Sequence, residues 1–153
     1  EITADFVVVD GNAYTDNLKL TGPVAEVGMI GRTGLRDTQS DQGDTRSRAE
    51  YVGRQIRAAR GGAIPGAIHI EWTDNLDASG KFKPDAELKA MYSRAGITPD
   101  KEVISYCQGG YRAAHSYVAL RLIGFPKIRN YIGSWKEWGD RADLPIYQPS
   151  EQE

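Results

Sequence analysis

Short apolar runs closed by glycine or proline alternate with segments whose apolar residues return at helical spacing. Phe6-Val7-Val8-Val9 reads as a strand, and Asp10-Gly11-Asn12 after it as a turn. Gly22, Gly28, Gly31 and Gly34 give residues 1–34 the texture of an irregular arm or linker. Residues 36–62 are charged and polar. There, Asp41-Gln42-Gly43-Asp44 predicts a surface turn. Arg48 to Arg60 predicts a helix with Tyr51, Val52, Ile56 and Ala59 as its apolar stripe, stopped by Gly61-Gly62.

Beyond residue 63 the pattern is regular. Ala67-Ile68-His69-Ile70 predicts a short strand after Pro65-Gly66. Lys83-Pro84-Asp85 opens a helix to about Ala95, with Leu88, Met91 and Tyr92 on one face and Gly96 as cap. Glu102 to Tyr106 is a strand, Gln108 to Tyr111 a tight loop, and Arg112 to Ile123 a helix that Gly124 ends. Ile128 to Ile132 is a strand, and Gly133 to Gly139 a turn into a short helix. Strands alternating with helices predict an α/β fold with a largely parallel sheet. The predicted organisation is an arm over residues 1–34, one domain over 35–148 and a tail over 149–153.

Composition narrows the function. The chain has 153 residues, 40% of them hydrophobic and 26% charged, an ordinary globular balance. A net charge of −2 argues against a nucleic-acid partner. The longest apolar runs are too short to span a membrane. One cysteine excludes an intrachain disulfide and a multi-cysteine zinc site, and two distant histidines argue against a His-rich metal site. No metal and no organic cofactor is expected. The first residue is Glu, so a processed or trimmed amino terminus is expected; the expected compartment is cytoplasmic, or periplasmic if a signal peptide has been removed.

The segment that carries chemistry is Ser105-Tyr106-Cys107-Gln108-Gly109-Gly110-Tyr111-Arg112. Cys107 falls where a strand ends and a helix begins, the carboxyl edge of a parallel sheet, where ligands bind in this fold class. Gly109 and Gly110 let the backbone curl so that successive N–H groups point inward as an anion nest. The helix amino terminus adds positive charge. A lone cysteine is ordinarily a core residue. The Gly-Gly pair and Arg112 point instead to a reactive thiolate.

Four motifs in sequence order resemble the rhodanese family of sulfurtransferases. They are Gly62-Ala63-Ile64-Pro65-Gly66-Ala67-Ile68-His69-Ile70-Glu71-Trp72, Gly80-Lys81-Phe82-Lys83 with Glu87-Leu88, Tyr106 to Ala113, and Arg129 to Trp138 followed by Leu144-Pro145-Ile146. The family also carries Asp-x-Arg after its first strand. Asp44-Thr45-Arg46 with Glu50-Tyr51 fits those letters, while Asp37-Thr38-Gln39 has Gln where Arg is expected. The family's usual histidine before Ile-Pro is Ala63.

The resemblance implies a three-layer fold with a central, mostly parallel sheet flanked by helices. It implies that Cys107 takes a sulfur from a small anionic donor such as thiosulfate or mercaptopyruvate. The persulfide then passes its sulfur to cyanide or a thiol, including one on a thioredoxin-like protein. It makes Gln108, Gly109, Gly110, Tyr111 and Arg112 the loop that binds the persulfide or donor, with Gln108 and Tyr111 at its rim. Asp44, Arg46 and Trp135 are candidate supporting residues. His115, Trp72 and Trp138 read as structural, and Asp41, Asp44, Arg46, Arg48 and Glu50 as a solvated charged face. Residues 1–30 are compatible with a linker from a tandem relative.

Other readings fare worse. Cysteine phosphatases place a longer stretch between Cys and Arg, wide enough for phosphate, whereas only Gln108, Gly109, Gly110 and Tyr111 intervene here. An arsenate reductase needs further thiols. A non-catalytic rhodanese module, acting in binding, sulfur carriage or regulation, is the remaining alternative.

Overall fold

β-Branched residues between turn signals form the middle of the molecule, and the strands around them come from distant parts of the chain. The computed structural model describes residues 40–151 and, ahead of them, the backbone of four short strands. Among those four, β1 (Ile2–Thr3) pairs antiparallel with β4 (Lys19–Leu20), and β2 (Val7–Val9) with β3 (Asn12–Tyr14). The expected Val7–Val9 strand is therefore one arm of a hairpin. Phe6, Asp10, Gly11 and Asp37 lie outside the described residues.

The main sheet has four strands: β5 (Ser40–Asp44), β6 (Ile68–His69), β7 (Glu102–Tyr106) and β8 (Ile128–Asn130). Their order is β6-β5-β7-β8, and every neighbouring pair is parallel. Helices α1 (Arg48–Tyr51), α2 (Asp85–Arg94), α3 (Tyr111–Leu122) and α4 (Ser134–Asp140) make the connections, with a 3-10 turn at Trp72–Asn75. Strand β7 shows how the layers form. Val103 packs with Leu88, Tyr92, Tyr117 and Leu120 of α2 and α3 on one face. Ile104 and Tyr106 pack with Ile64, Tyr131, Trp135 and Trp138 on the other. The period of two along a strand sends successive side chains to opposite faces. This is the α/β, three-layer architecture expected from the sequence.

Two expectations fail between residues 41 and 60. Asp41-Gln42-Gly43-Asp44 is not a surface turn; it lies within β5, hydrogen-bonded to β6 on one side and β7 on the other. Its polar residues hide a strand whose burial comes from its central place in the ladder rather than from apolar side chains. The helix expected over Arg48 to Arg60 stops at Tyr51. Gly53, at φ +77°, turns the chain there, and Ile56 stays exposed. The segment then follows α4, where Arg60 donates to the carbonyls of Trp138, Gly139, Arg141 and Leu144.

The expected solvated charged face is also corrected. Asp44, Arg46 and Glu50 are buried, because each meets an opposite charge. Asp41 and Arg48 are only partly covered, and Lys101 pairs with Asp41 at 3.1 Å.

Candidate active site

Cys107 follows the last residue of β7 and is 1% exposed. The backbone then folds back, and the Gly110 N–H donates to Cys107 Sγ at 3.1 Å. Gly110 has φ +91°, and a Cβ there would stand 3.2 Å from Ile132 Cδ1 and 3.3 Å from the Ile132 backbone. Only glycine fits that turn comfortably. A Cβ at Gly109 would meet nothing within 4 Å, so that side of the loop is open.

Helix α3 begins directly after the loop, and its amino-terminal N–H groups have no partner within the helix. Among the described residues nothing accepts from the backbone N–H of Gln108, Gly109, Tyr111 or Arg112. The loop thus leaves these N–H groups without a protein acceptor among the described residues and places that of Gly110 on the Cys107 sulfur.

The predicted loop residues do not behave alike. Tyr111 is 88% exposed at the rim. Gln108 is half-buried and reaches sideways, its Nε2 donating to the Arg57 carbonyl at 2.7 Å. Arg112 grips Glu50 with both terminal nitrogens, at 2.6 and 2.9 Å. The Glu50 contact, together with the neighbouring Cys107, raises the Arg112 guanidinium above its usual value. Burial pushes Glu50 up, but the hydrogen bonds from Arg112 and Ser47 outweigh it and hold its carboxyl at about 2. Arg57 stands 3.8 Å from the same carboxylate.

The supporting residues form a second unit under the loop. Arg46 Nη2 meets Asp44 Oδ2 at 2.6 Å and also donates to the Gly62 carbonyl at 2.7 Å. Its guanidinium lies over the Trp135 ring, 4.5 Å from the centroid. Tyr106 donates its hydroxyl to Asp44 at 2.6 Å, and burial beside that carboxylate raises Tyr106 well above its usual value. Asp44, Arg46 and Trp135 are thus brought together, and they anchor the end of β7 rather than reach the sulfur. Trp138 is buried and donates to the Pro145 carbonyl at 2.7 Å, so it packs, as expected.

His115 is half-buried, stacked on Phe82 at 4.6 Å with the Trp72 ring edge-on at 5.2 Å. Burial lowers its pKa below the usual imidazole value. No group of three or more His, Cys, Asp or Glu side chains suited to a metal occurs among the described residues. Among them, too, no helix is long and apolar enough to cross a membrane.

Glu50, the buried partner of Arg112, is the residue that charge pattern alone hid. Its signal was the capping box, Ser47 three residues before Glu50.

The Rhodanese-like domain family matches residues 34–141. The chain belongs to the rhodanese family. Among curated rhodanese relatives, a thiosulfate sulfurtransferase of Azotobacter vinelandii is 38% identical, covering 77% of this chain and 43% of that protein. The sulfur carrier protein TtuD of Thermus thermophilus is 41% identical, covering 71% of this chain and 41% of its own length. This rhodanese domain therefore spans about two fifths of the relatives it matches. Among solved structures, EanB in complex with ergothioneine superposes with a TM-score of 0.70 at 26% identity, over 76% of this chain and 30% of that one. Another structure of EanB holds ergothioneine covalently linked with a persulfide cysteine.

Proposed function

We propose that this domain is a sulfurtransferase that works through a persulfide on Cys107. The observation that carries the reading is the Gly110 N–H on Cys107 Sγ, within a loop whose neighbouring N–H groups have no protein acceptor. Such a cradle suits a negative sulfur atom better than a neutral core thiol.

The chemistry follows from that placement. The Cys107 thiolate attacks the outer sulfur of thiosulfate. A new S–S bond forms, the old one breaks, and sulfite leaves with its electron pair. Cyanide or a thiolate then attacks the outer sulfur of the persulfide, and the Cys107 thiolate departs. A thiolate is both a good nucleophile and a good leaving group, so one residue serves both halves. The free N–H groups of the loop hold the charge of the terminal sulfur. Arg112, fixed by Glu50, supplies positive charge beside the sulfur for an anionic donor. The open side at Gly109 leaves space for the extra atom. Small thiols and thioredoxin-like proteins are the acceptor classes that fit this chemistry.

Sulfur carriage is the second reading, favoured by the similarity to a protein named as a sulfur carrier. Both readings need the persulfide, and they differ in how readily a small acceptor discharges it.

Intact mass before and after thiosulfate, and again after cyanide, tests both. A gain of one sulfur that cyanide removes is expected for the parent protein, and no gain for Cys107→Ser. A gain that resists cyanide favours carriage. A parent protein that gains nothing from thiosulfate or mercaptopyruvate overturns the enzymatic reading.

A further inference from the structure

The peptide groups of the cysteine loop are sorted by direction, and the sorting comes from one distant stretch of chain. The Cys107 carbonyl accepts from the Trp135 N–H and the Gln108 carbonyl from the Lys136 N–H, both at 2.9 Å. The Gly110 carbonyl accepts from Asn130 Nδ2 at 3.1 Å. The Cys107 N–H donates to Ser134 Oγ at 3.1 Å, and that hydroxyl in turn donates to the Tyr131 carbonyl at 2.7 Å. All of these partners lie between Asn130 and Lys136.

A trans peptide points its N–H and C=O in opposite directions. Holding the carbonyls of Cys107 and Gln108 toward α4 therefore aims the N–H groups of Gln108 and Gly109 away from it. Holding the Gly110 carbonyl against Asn130 likewise turns the Tyr111 N–H outward. Those are three of the N–H groups that lack a protein acceptor.

Ser134 carries a second mark. It has φ +50°, the only positive value at a non-glycine among the described residues, and it is fully buried. Glycine suits that backbone conformation better than serine. The strain is tolerated at a residue whose hydroxyl accepts from the backbone of the reactive cysteine.

We propose that Ser134 and Asn130 are positioning residues for Cys107: Ser134 fixes the Cys107 peptide against the segment whose Trp135 and Lys136 N–H groups hold the loop carbonyls, and Asn130 holds the Gly110 carbonyl so that the Tyr111 N–H stays free for an added sulfur. Neither touches the donor. The proposal deepens the sulfurtransferase reading and rests on it, but one arm of its test does not need sulfur transfer.

The test uses Ser134→Gly and Asn130→Asp. Glycine keeps the backbone conformation and removes the hydroxymethyl group that carries the acceptor. Aspartate keeps the shape of asparagine and removes the donor to Gly110. Four quantities are read: the melting temperature, the rate of Cys107 alkylation by iodoacetamide, and kcat and KM with thiosulfate and cyanide.

The expected result is a Ser134→Gly protein that melts within a few degrees of the parent. Its kcat falls by about tenfold or more, since a small misplacement of the loop away from the reacting atoms costs that much. KM for thiosulfate stays within about twofold, and alkylation slows in step with kcat. Asn130→Asp does the same, and it decides the matter if Ser134→Gly does not fold. Alkylation and kcat within about twofold of the parent in both variants overturns the proposal. If the parent transfers no sulfur, the functional reading fails, and alkylation alone still decides this one.

Discussion

Arg112 uses both terminal nitrogens on Glu50, so its charge beside Cys107 is fixed in place rather than free to follow a ligand. Replacing it with alanine removes that charge and leaves the buried Glu50 carboxylate without its main partner. Arg112→Ala should raise KM for thiosulfate by about tenfold, with a smaller effect on an uncharged donor; steady-state kinetics with both donors checks this. Arg112→Lys should recover only part of the loss, because an ammonium cannot make the paired contact. Asp44 poses a different problem. It faces Arg46 and the Tyr106 hydroxyl inside the protein, and Asp44→Asn strands a buried guanidinium. A loss of about 3–5 kcal/mol is expected from urea unfolding, the range for breaking a buried ion pair. Cys107, Arg112 and the Asp44-Thr45-Arg46 letters were all legible as motifs in the sequence. Pairing was not: nothing local links Glu50 to Arg112, and buried charges look like surface charges until their partners are known.

At the scale of elements, the sequence was clear where burial and hydrophobicity agree. Strand β7, with Val103 and Ile104 between turn residues, was legible to its ends, as was the loop into α3. Strand β5 was not, because Ser40-Asp41-Gln42-Gly43-Asp44 contains no large apolar residue. Parallel neighbours on both sides hold it, and they come from remote sequence. The failed helix after α1 has a nearer cause: the apolar spacing of Ile56 and Ala59 is accidental, and Gly53 breaks the turn before them. The loop itself gives a contrast between adjacent glycines. Gly110→Ala puts a Cβ against Ile132 at a left-handed residue, and should displace the N–H from the sulfur and abolish most sulfur transfer. Gly109→Ala meets open space and should melt near the parent temperature. Melting curves and single-turnover sulfur uptake of the two variants distinguish them.

For the whole molecule, the lowered carboxyl of Glu50 sets an acid limit. Its pKa is held at about 2 from an ordinary 4.5, so the unfolded chain binds the proton first as pH falls. The associated stability is complete above about pH 4.5 and is lost as pH drops toward 2. After allowing for solvent screening around a rim-side pair, it amounts to about 2 kcal/mol. His115, held below its usual pKa by burial, works in the same direction at a higher pH: stability is present above about 6.5 and erodes as pH falls below it. Glu50→Gln should therefore flatten the pH 2–4.5 part of a stability profile measured by urea unfolding and leave the part near pH 6 unchanged.

The distance along the chain between Cys107 and its clamp, Asn130 to Lys136, also sets a timetable. During synthesis the cysteine leaves the ribosome before the residues that orient its loop. Until β8 and α4 have emerged and docked, the loop carbonyls have no partners to turn them, and the nascent thiol has no finished cradle. The β5–β7 pairing, which joins Ser40 to Glu102, is itself a long-range closure of the slow kind. A chain that ends before Asn130 therefore lacks every one of the groups that orient the Cys107 loop.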